Sequence, residues 1–262
     1  MKKSILLALA LSVCTSAWAD DAQKVLECMR GNVSASLRVQ DIELTSTDRS
    51  QGSRSLRGKL FALRETQNDL SHVRVMLKVS APENLAGSAF LLREATEVSE
   101  QGMYVYLPSV RRVRRITGEF ADGALLGSDF SYQEFRQLQN SFQDLNSTLE
   151  PSEVIEQRPV YVLSSTPLAG SPSGNVRIRS WVDQKTCVPL KVEFYQNQSL
   201  QKVMTIPVSA LKQSNQRWYP AEATIRDVRS GTSSQLRVLG VQSGGKIWKG
   251  TFEPSLFYRL GT

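Results

Sequence analysis

The stretch Asn175–Gln196, "NVRIRSWVDQKTCVPLKVEFYQ", decides the fold class. Val176, Ile178 and Val182 alternate with Arg177, Arg179 and Trp181, and after a break Leu190, Val192 and Phe194 alternate with Lys191, Glu193 and Tyr195. A period of two belongs to a strand with one buried face, and "DQKT" between the runs is turn chemistry, so the stretch reads as a β-hairpin. The pattern recurs on both sides. "HVRVMLKVS" sets Val73, Val75, Leu77 and Val79 against His72, Arg74, Met76 and Lys78. "SLRVQDIELT" places Leu37 and Val39 on one face and Ile42 and Leu44 after a change of phase at Gln40-Asp41, as a β-bulge would. "QKVMTIPVS", "RWYPAEATIRDV", "SQLRVLGVQS" and "KIWKGTFEP" continue the series with Gly, Ser or Asn between runs. Strands this closely spaced pair antiparallel, because parallel pairs need long crossovers.

Two segments have helical spacing. "DDAQKVLECM" (20–29) lines up Ala22, Val25, Leu26 and Met29, and "SDFSYQEFRQLQNSF" (128–142) carries Ser131 and Glu134 at capping-box spacing ahead of Phe135, Leu138 and Phe142. The predicted class is therefore mainly β (α+β): one large, curled antiparallel sheet whose concave apolar face is covered by two short helices, a shape that encloses a hydrophobic cavity. The candidate lining positions are Val73, Val75, Leu77, Ile178, Leu190, Val192 and Phe194. The same side chains would equally serve as plain core.

The first residues decide the compartment. "MKKSILLALALSVCTSAWADD" has two lysines, an apolar run too short to span a bilayer and Ala17-Trp18-Ala19 at the peptidase position, so residues 1–19 read as a cleaved signal peptide and 20–262 as a single domain in the periplasm. Cys14 follows Val13 rather than the small residue that lipoprotein processing wants. Cleavage removes Lys2 and Lys3 and no acid, lowering the formal charge from +7 to +5. In that compartment a mildly basic chain has no nucleic acid to bind, and anionic lipid head groups are nearby. Cys28 and Cys187 are either a disulfide, which the oxidising compartment favours, or two small buried apolar side chains.

Catalytic readings find no support. His72, the one histidine, sits on the polar phase of its strand and reads as an exposed imidazole, which excludes His-based triads and His-rich metal sites. "SALK" (209–212) lacks the companion elements of a Ser-x-x-Lys enzyme, and no P-loop, G-x-S-x-G, C-x-x-C or EF-hand pattern occurs. Glu119, Asp122, Asp129 and Glu134 are explained by turns and caps. The expectation is no catalytic residue, no metal and no cofactor.

"VRRVRRITG" (110–118) lies between Pro108 and Gly118, which leaves little room for a helix, and reads as a bulged strand with Arg111, Arg112, Arg114 and Arg115 outward. Those arginines either dock to anionic head groups or an acidic partner, or pair with acids across the sheet. After them, Gly127, Ser128, Asp129 and Phe130 form a lid loop with glycine flexing points at Gly123 and Gly127, a helix start capped by Ser128 or Asp129, or both.

"MYVYLPSVRRVRRITG", "GSDFSYQEF", "WVDQKTCVPLKVEFY", "RWYPAEATIRD" and the closing "FEPSLF" together resemble the LolA-like family of outer-membrane lipoprotein-sorting proteins, over nearly all of residues 20–262. The block from Arg111–Arg115 to Gly127–Phe130 is its most specific part, and Trp218, Tyr219 and Pro220 match a strand motif shared across the LolA, LolB and RseB superfamily. The resemblance implies an unclosed β-barrel around helices, with a cavity that holds lipid or lipoprotein acyl chains. It also implies transfer between envelope components, with transient membrane contact and an inner-membrane RND-type exporter as partner. The alternative it leaves is an RseB-like regulatory module that senses lipid and acts through a protein partner.

Overall fold

The structure, a computed structural model, describes residues 16–67, 70–94, 101–139, 142, 145–168 and 176–259. Most of the expected signal peptide, residues 1–15, lies outside the described residues. Helix α1 (Ser16–Gly31) is followed by β1 (Arg38–Thr47), β2 (Ser53–Gln67), β3 (Leu70–Ala81), β4 (Ala89–Arg93), β5 (Gly102–Leu107) and β6 (Arg112–Ile116). Two short 3-10 turns lead into α2 (Tyr132–Gln139). Then come β7 (Leu145–Ile155), β8 (Arg158–Pro167), β9 (Val176–Asp183), β10 (Pro189–Gln196) and β11 (Ser199–Thr205). Last are β12 (Leu211–Ser214), β13 (Arg217–Pro220), β14 (Glu222–Asp227) and β15 (Ser233–Ser243).

Thirteen strands form one antiparallel sheet in the order β6-β5-β4-β3-β2-β1-β15-β14-β11-β10-β9-β8-β7. The order is linear, so hydrogen bonds do not close it into a barrel. Neighbours are consecutive in the chain except at two places. At β11–β14 the sheet skips the β12–β13 hairpin, which forms a separate two-stranded sheet. At β1–β15 the first and last strands meet in the middle.

The alternation in the sequence becomes two faces. Val73, Val75, Leu77, Ile178, Val182, Val192 and Phe194 point into the main core with Ala22, Val25, Leu26 and Met29 of α1 and Phe135 of α2. The outward face of the β2–β5 end is covered as well: Met76, Leu91 and Tyr104 pack with Phe252 and Phe257 of the C-terminal segment, and Tyr106 stacks on Tyr258 at 4.1 Å between ring centroids. Double coverage explains why all five residues of β4 are buried.

Several expectations are corrected here. His72 is 8% exposed rather than solvated, and fully buried Met76, on the same outward phase of β3, lies under a second layer. "KIWKGTFEP" is not a strand: Gly244 (φ 84°) and Gly245 (φ 97°) turn the chain after β15, and the segment crosses the convex face, leaving Ile247 and Trp248 exposed. "RWYPAEATIRDV" is two strands, β13 and β14, in different sheets. The bulge at Gln40-Asp41 is present in the β1–β15 pairing, where Asp41 opposes Gly240 and Ile42 opposes Val238, but the extra residue, Leu239, belongs to β15. The phase of β1 is therefore unbroken: Arg38, Gln40, Ile42 and Leu44 all point inward and are buried, while Val39 does not. Val110 lies in the turn of a β5–β6 hairpin, with Arg111 at φ 52°, rather than in a bulged strand.

Candidate functional site

Between the concave face and the two helices lies a cavity of about 210 Å³. Its floor is the seam of the sheet: Ile42 and Leu44 of β1, Leu236 and Val238 of β15, Ala223 of β14, and Met204 of β11 with the following Ile206. Its roof comes from Met29 of α1, Leu125 and Phe130 of the loop before α2, and Phe135 and Leu138 of α2. Trp218, Tyr219 and Pro220 stand at one side. Arg38, Gln40, Asn32 and Gln139 are polar exceptions in an otherwise apolar wall.

The two roof helices are attached differently. On α1, Cys28 is bonded to Cys187 in the β9–β10 turn, with Cα atoms 5.7 Å apart, and Cys187 lines the cavity. That turn is itself braced. Arg158 donates to both oxygens of Asp183 (Nε 2.8 Å, Nη2 2.6 Å), and Thr186 donates its backbone N–H (2.9 Å) and hydroxyl (2.6 Å) to the same carboxylate. Burial alone would raise the Asp183 pKa, but these donors outweigh it and hold the carboxyl below its ordinary value. Asn32, just past α1, bridges the Thr186 carbonyl (2.8 Å) and the Trp218 N–H (2.9 Å).

No covalent bond holds α2. It starts with the expected capping box, in which the Ser131 hydroxyl accepts from Glu134 N–H (3.0 Å) and the Glu134 carboxylate accepts from Ser131 N–H (2.7 Å). The cap is thus Ser131, not Ser128 or Asp129. Ser128 folds back onto the Leu125 carbonyl (2.8 Å), and Asp129 accepts from the hydroxyls of Thr232 and Ser234 (2.6 Å for the latter) at the start of β15. Lys202 of β11 ties the same point, donating to the Asp129 carbonyl (2.7 Å) and the Glu134 carboxylate (2.9 Å). Arg54 of β2 donates to the Gly127 carbonyl. Gly127 has φ 76°, and a Cβ there would stand 2.9 Å from the Arg54 guanidinium, so this position needs glycine. Gly127–Phe130 is a strap anchored on both sides of the seam, with Phe130 buried in the roof. Under it, Phe135 meets Phe90 edge-on at 5.6 Å.

Of the candidate lining residues, Leu77 lines the cavity. Val73, Val75, Ile178, Val192 and Phe194 lie in the same core without forming its wall, and Leu190 packs on the other side of the sheet with Val160, Val162 and Trp181. The phase expected from Val192 and Phe194 breaks at Leu190, where the pairing shifts between Pro189 and Lys191. Sequence reasoning missed the inward rows of β1, β14 and β15. The strand motif Trp218, Tyr219 and Pro220 does reach the cavity.

The arginines lie elsewhere. Arg112, Arg114 and Arg115 are exposed on β6, an end strand of the sheet, and Arg111 is exposed in the turn before it. Arg115 donates to the Gln101 carbonyl (2.6 Å) and lies over Tyr104. Arg111, Arg112 and Arg114 form no ion pair among the described residues. Among the described residues no helix is long and apolar enough to cross a membrane.

No curated protein matches the chain. Solved structures from several bacteria share its fold. A domain described as a candidate outer membrane lipoprotein-sorting protein from Vibrio parahaemolyticus is 21% identical, with TM-score 0.80, and the match covers 92% of this chain and 100% of that one. A DUF1329 family protein from Desulfovibrio piger is 17% identical, with TM-score 0.80, over 91% and 98%. A LolA superfamily protein from Nitrosomonas europaea is 18% identical, with TM-score 0.68, over 88% and 96%. A family model described as "-like: Uncharacterized protein" matches residues 71–257, from β3 to the C-terminal segment on the convex face. The chain therefore belongs to the family that this model defines, and its fold is that of the LolA superfamily.

Proposed function

We propose that residues 20–262, exported by the segment 1–19, work in the periplasm as one non-catalytic domain that carries lipid or lipoprotein acyl chains. The observation that carries this reading is the apolar cavity under a strap that is tied by polar contacts and by the burial of Phe130, with no covalent link to the sheet. Each CH₂ kept from water is worth about 0.8 kcal/mol, so one long chain needs on the order of 10 kcal/mol of burial when it leaves a membrane. An apolar trough supplies that without chemistry. At about 210 Å³ the cavity is smaller than the roughly 300–1,000 Å³ of typical ligand pockets, so loading requires the roof to lift. Since α1 is bonded to the sheet, the element that lifts is α2 with its strap.

The exposed arginines of β6 and of the turn before it supply the docking edge in this reading. Arg111, Arg112, Arg114 and Arg115 face anionic head groups or the acidic surface of an inner-membrane RND-type exporter, each charge worth about 1 kcal/mol close to a membrane. Arg112→Glu with Arg114→Glu is expected to weaken liposome or exporter binding in a salt-dependent way with no change in melting temperature, and unchanged binding would remove the docking role. The carrier itself is tested by native mass spectrometry of protein taken from the periplasm. Co-purified lipid, or uptake of fluorescent fatty acid by delipidated protein, is the expected result; consistently lipid-free protein that takes up none ends the reading.

A further inference from the structure

The inward row of β1 runs Arg38, Gln40, Ile42, Leu44, and all four side chains line the cavity. It changes from charged to polar to apolar over about 20 Å of strand, at about 3.4 Å per residue. Arg38 is 8% exposed, and one donation is seen from its guanidinium, Nη2 to the Asn32 carbonyl at 2.6 Å. No carboxylate lies within ion-pair distance of it among the described residues. The charged side chain whose field acts on it is a second cation, Arg217, and the Tyr219 ring lies 5.9 Å from the guanidinium carbon. Burial, reinforced by Arg217 and partly opposed by Tyr219, lowers the Arg38 pKa. Gln40 is also 8% exposed, and neither its amide nor the Tyr219 hydroxyl has a hydrogen-bond partner among the described residues.

A guanidinium in an apolar wall is costly unless an anion pairs with it, and its planar fork fits the two oxygens of a carboxylate or phosphate. An ordinary core would place an acid opposite Arg38, as Asp183 is placed opposite Arg158. We propose that this end of the cavity is an oxyanion site, with Arg38, Gln40 and Tyr219 receiving the charged head of an amphiphile whose chain lies over Ile42 and Leu44. The inference rests on the carrier reading and narrows it: the cargo is an anionic single-headed lipid, not a neutral acyl group. The shared chemistry is the oxyanion, and a fatty-acid carboxylate and a phospholipid phosphate are its two sources.

The test uses delipidated full-length mature protein with its disulfide intact, titrated with three probes of equal chain length: dodecanoate, dodecyl phosphate and 1-dodecanol. Binding is read from the fluorescence of the cavity tryptophan, Trp218, and from calorimetry. At least one anionic probe is expected to bind ten-fold or more tightly than dodecanol, and the tighter of the two names the source. Arg38→Gln should bring the ratio of anionic-probe to dodecanol affinity down to about one, Arg38→Lys should keep most of the preference, and Gln40→Leu, which leaves the Asn32 contact intact, should lower it several-fold. Equal binding of all three probes by the wild type overturns the oxyanion site while the apolar cavity stands. The oxyanion site is equally overturned if Arg38→Gln weakens all three alike. No binding of any probe overturns both.

Discussion

The two helices cover the same cavity by opposite means. α1 is joined covalently to the β9–β10 turn through Cys28–Cys187, and that turn is stiffened by a buried carboxylate that accepts four hydrogen bonds. α2 rests on aromatic contacts and on a strap whose anchors are hydroxyls, one lysine and one arginine. A covalent staple does not open on the timescale of ligand exchange, whereas contacts of about 1 kcal/mol each break and reform readily. The difference sets a covalently stapled wall against one held by noncovalent contacts alone.

The largest effect is expected from breaking the staple. Cys28→Ala with Cys187→Ala should lower the unfolding free energy by about 2–5 kcal/mol, since the bond closes a loop with a sequence separation of 159 residues. A loss below about 1 kcal/mol in denaturant unfolding would mean that core packing alone fixes α1, and the contrast with α2 would dissolve. Next is the brace. The folded pKa of Asp183 is depressed, so its stabilisation is present above the unfolded carboxyl pKa of about 3.9 and is lost as pH falls through the folded value. The wild type should therefore lose stability on acidification below about pH 4 by about 1–3 kcal/mol more than Asp183→Asn, which has no proton to take up. Parallel pH curves for the two proteins would mean that the Arg158–Asp183 pair does not stiffen the turn. The smallest effect on stability belongs to the strap. Lys202→Met should cost about 1 kcal/mol or less net yet speed both amide exchange over residues 123–139 and lipid release. If exchange in α1 rises as much as in α2, the helices move together and the stapled wall is not fixed.

Periodicity carried most of the fold into view. Clean alternation at Val73–Val79 and at Val176–Phe194 marked real strands, and Ser131 with Glu134 marked the start of α2. It did not find the cavity, for a physical reason. The strands with the clearest apolar rows are those packed on both faces, so their side chains disappear into solid core. The cavity lies where rows are imperfect: Arg38 and Gln40 interrupt β1, and β15 is half-exposed along much of its length. Reading Val39 as inward required a break in phase on β1 that the extra residue Leu239 supplies on the other strand instead. A bulge leaves the same trace in a sequence whichever partner holds it. Met76 and Lys78 illustrate the other limit, since the outward phase of β3 reveals nothing about the distant C-terminal segment that packs on it.

The pairing of β1 with β15 determines when the cavity comes into being. Strands β1–β6 pair as a local meander, and β7–β11 as another, whereas the floor between them requires the last strand of the sheet to pair with the first. Pairings of such high contact order are slow, and until they form, β1 offers an unsatisfied edge to any other chain. A polypeptide secreted N-terminus first would wait through its whole translocation with that edge open. On that topology the cavity floor is expected to be the last part of the sheet to be completed, and its assembly interval the period in which the chain is most exposed to aggregation.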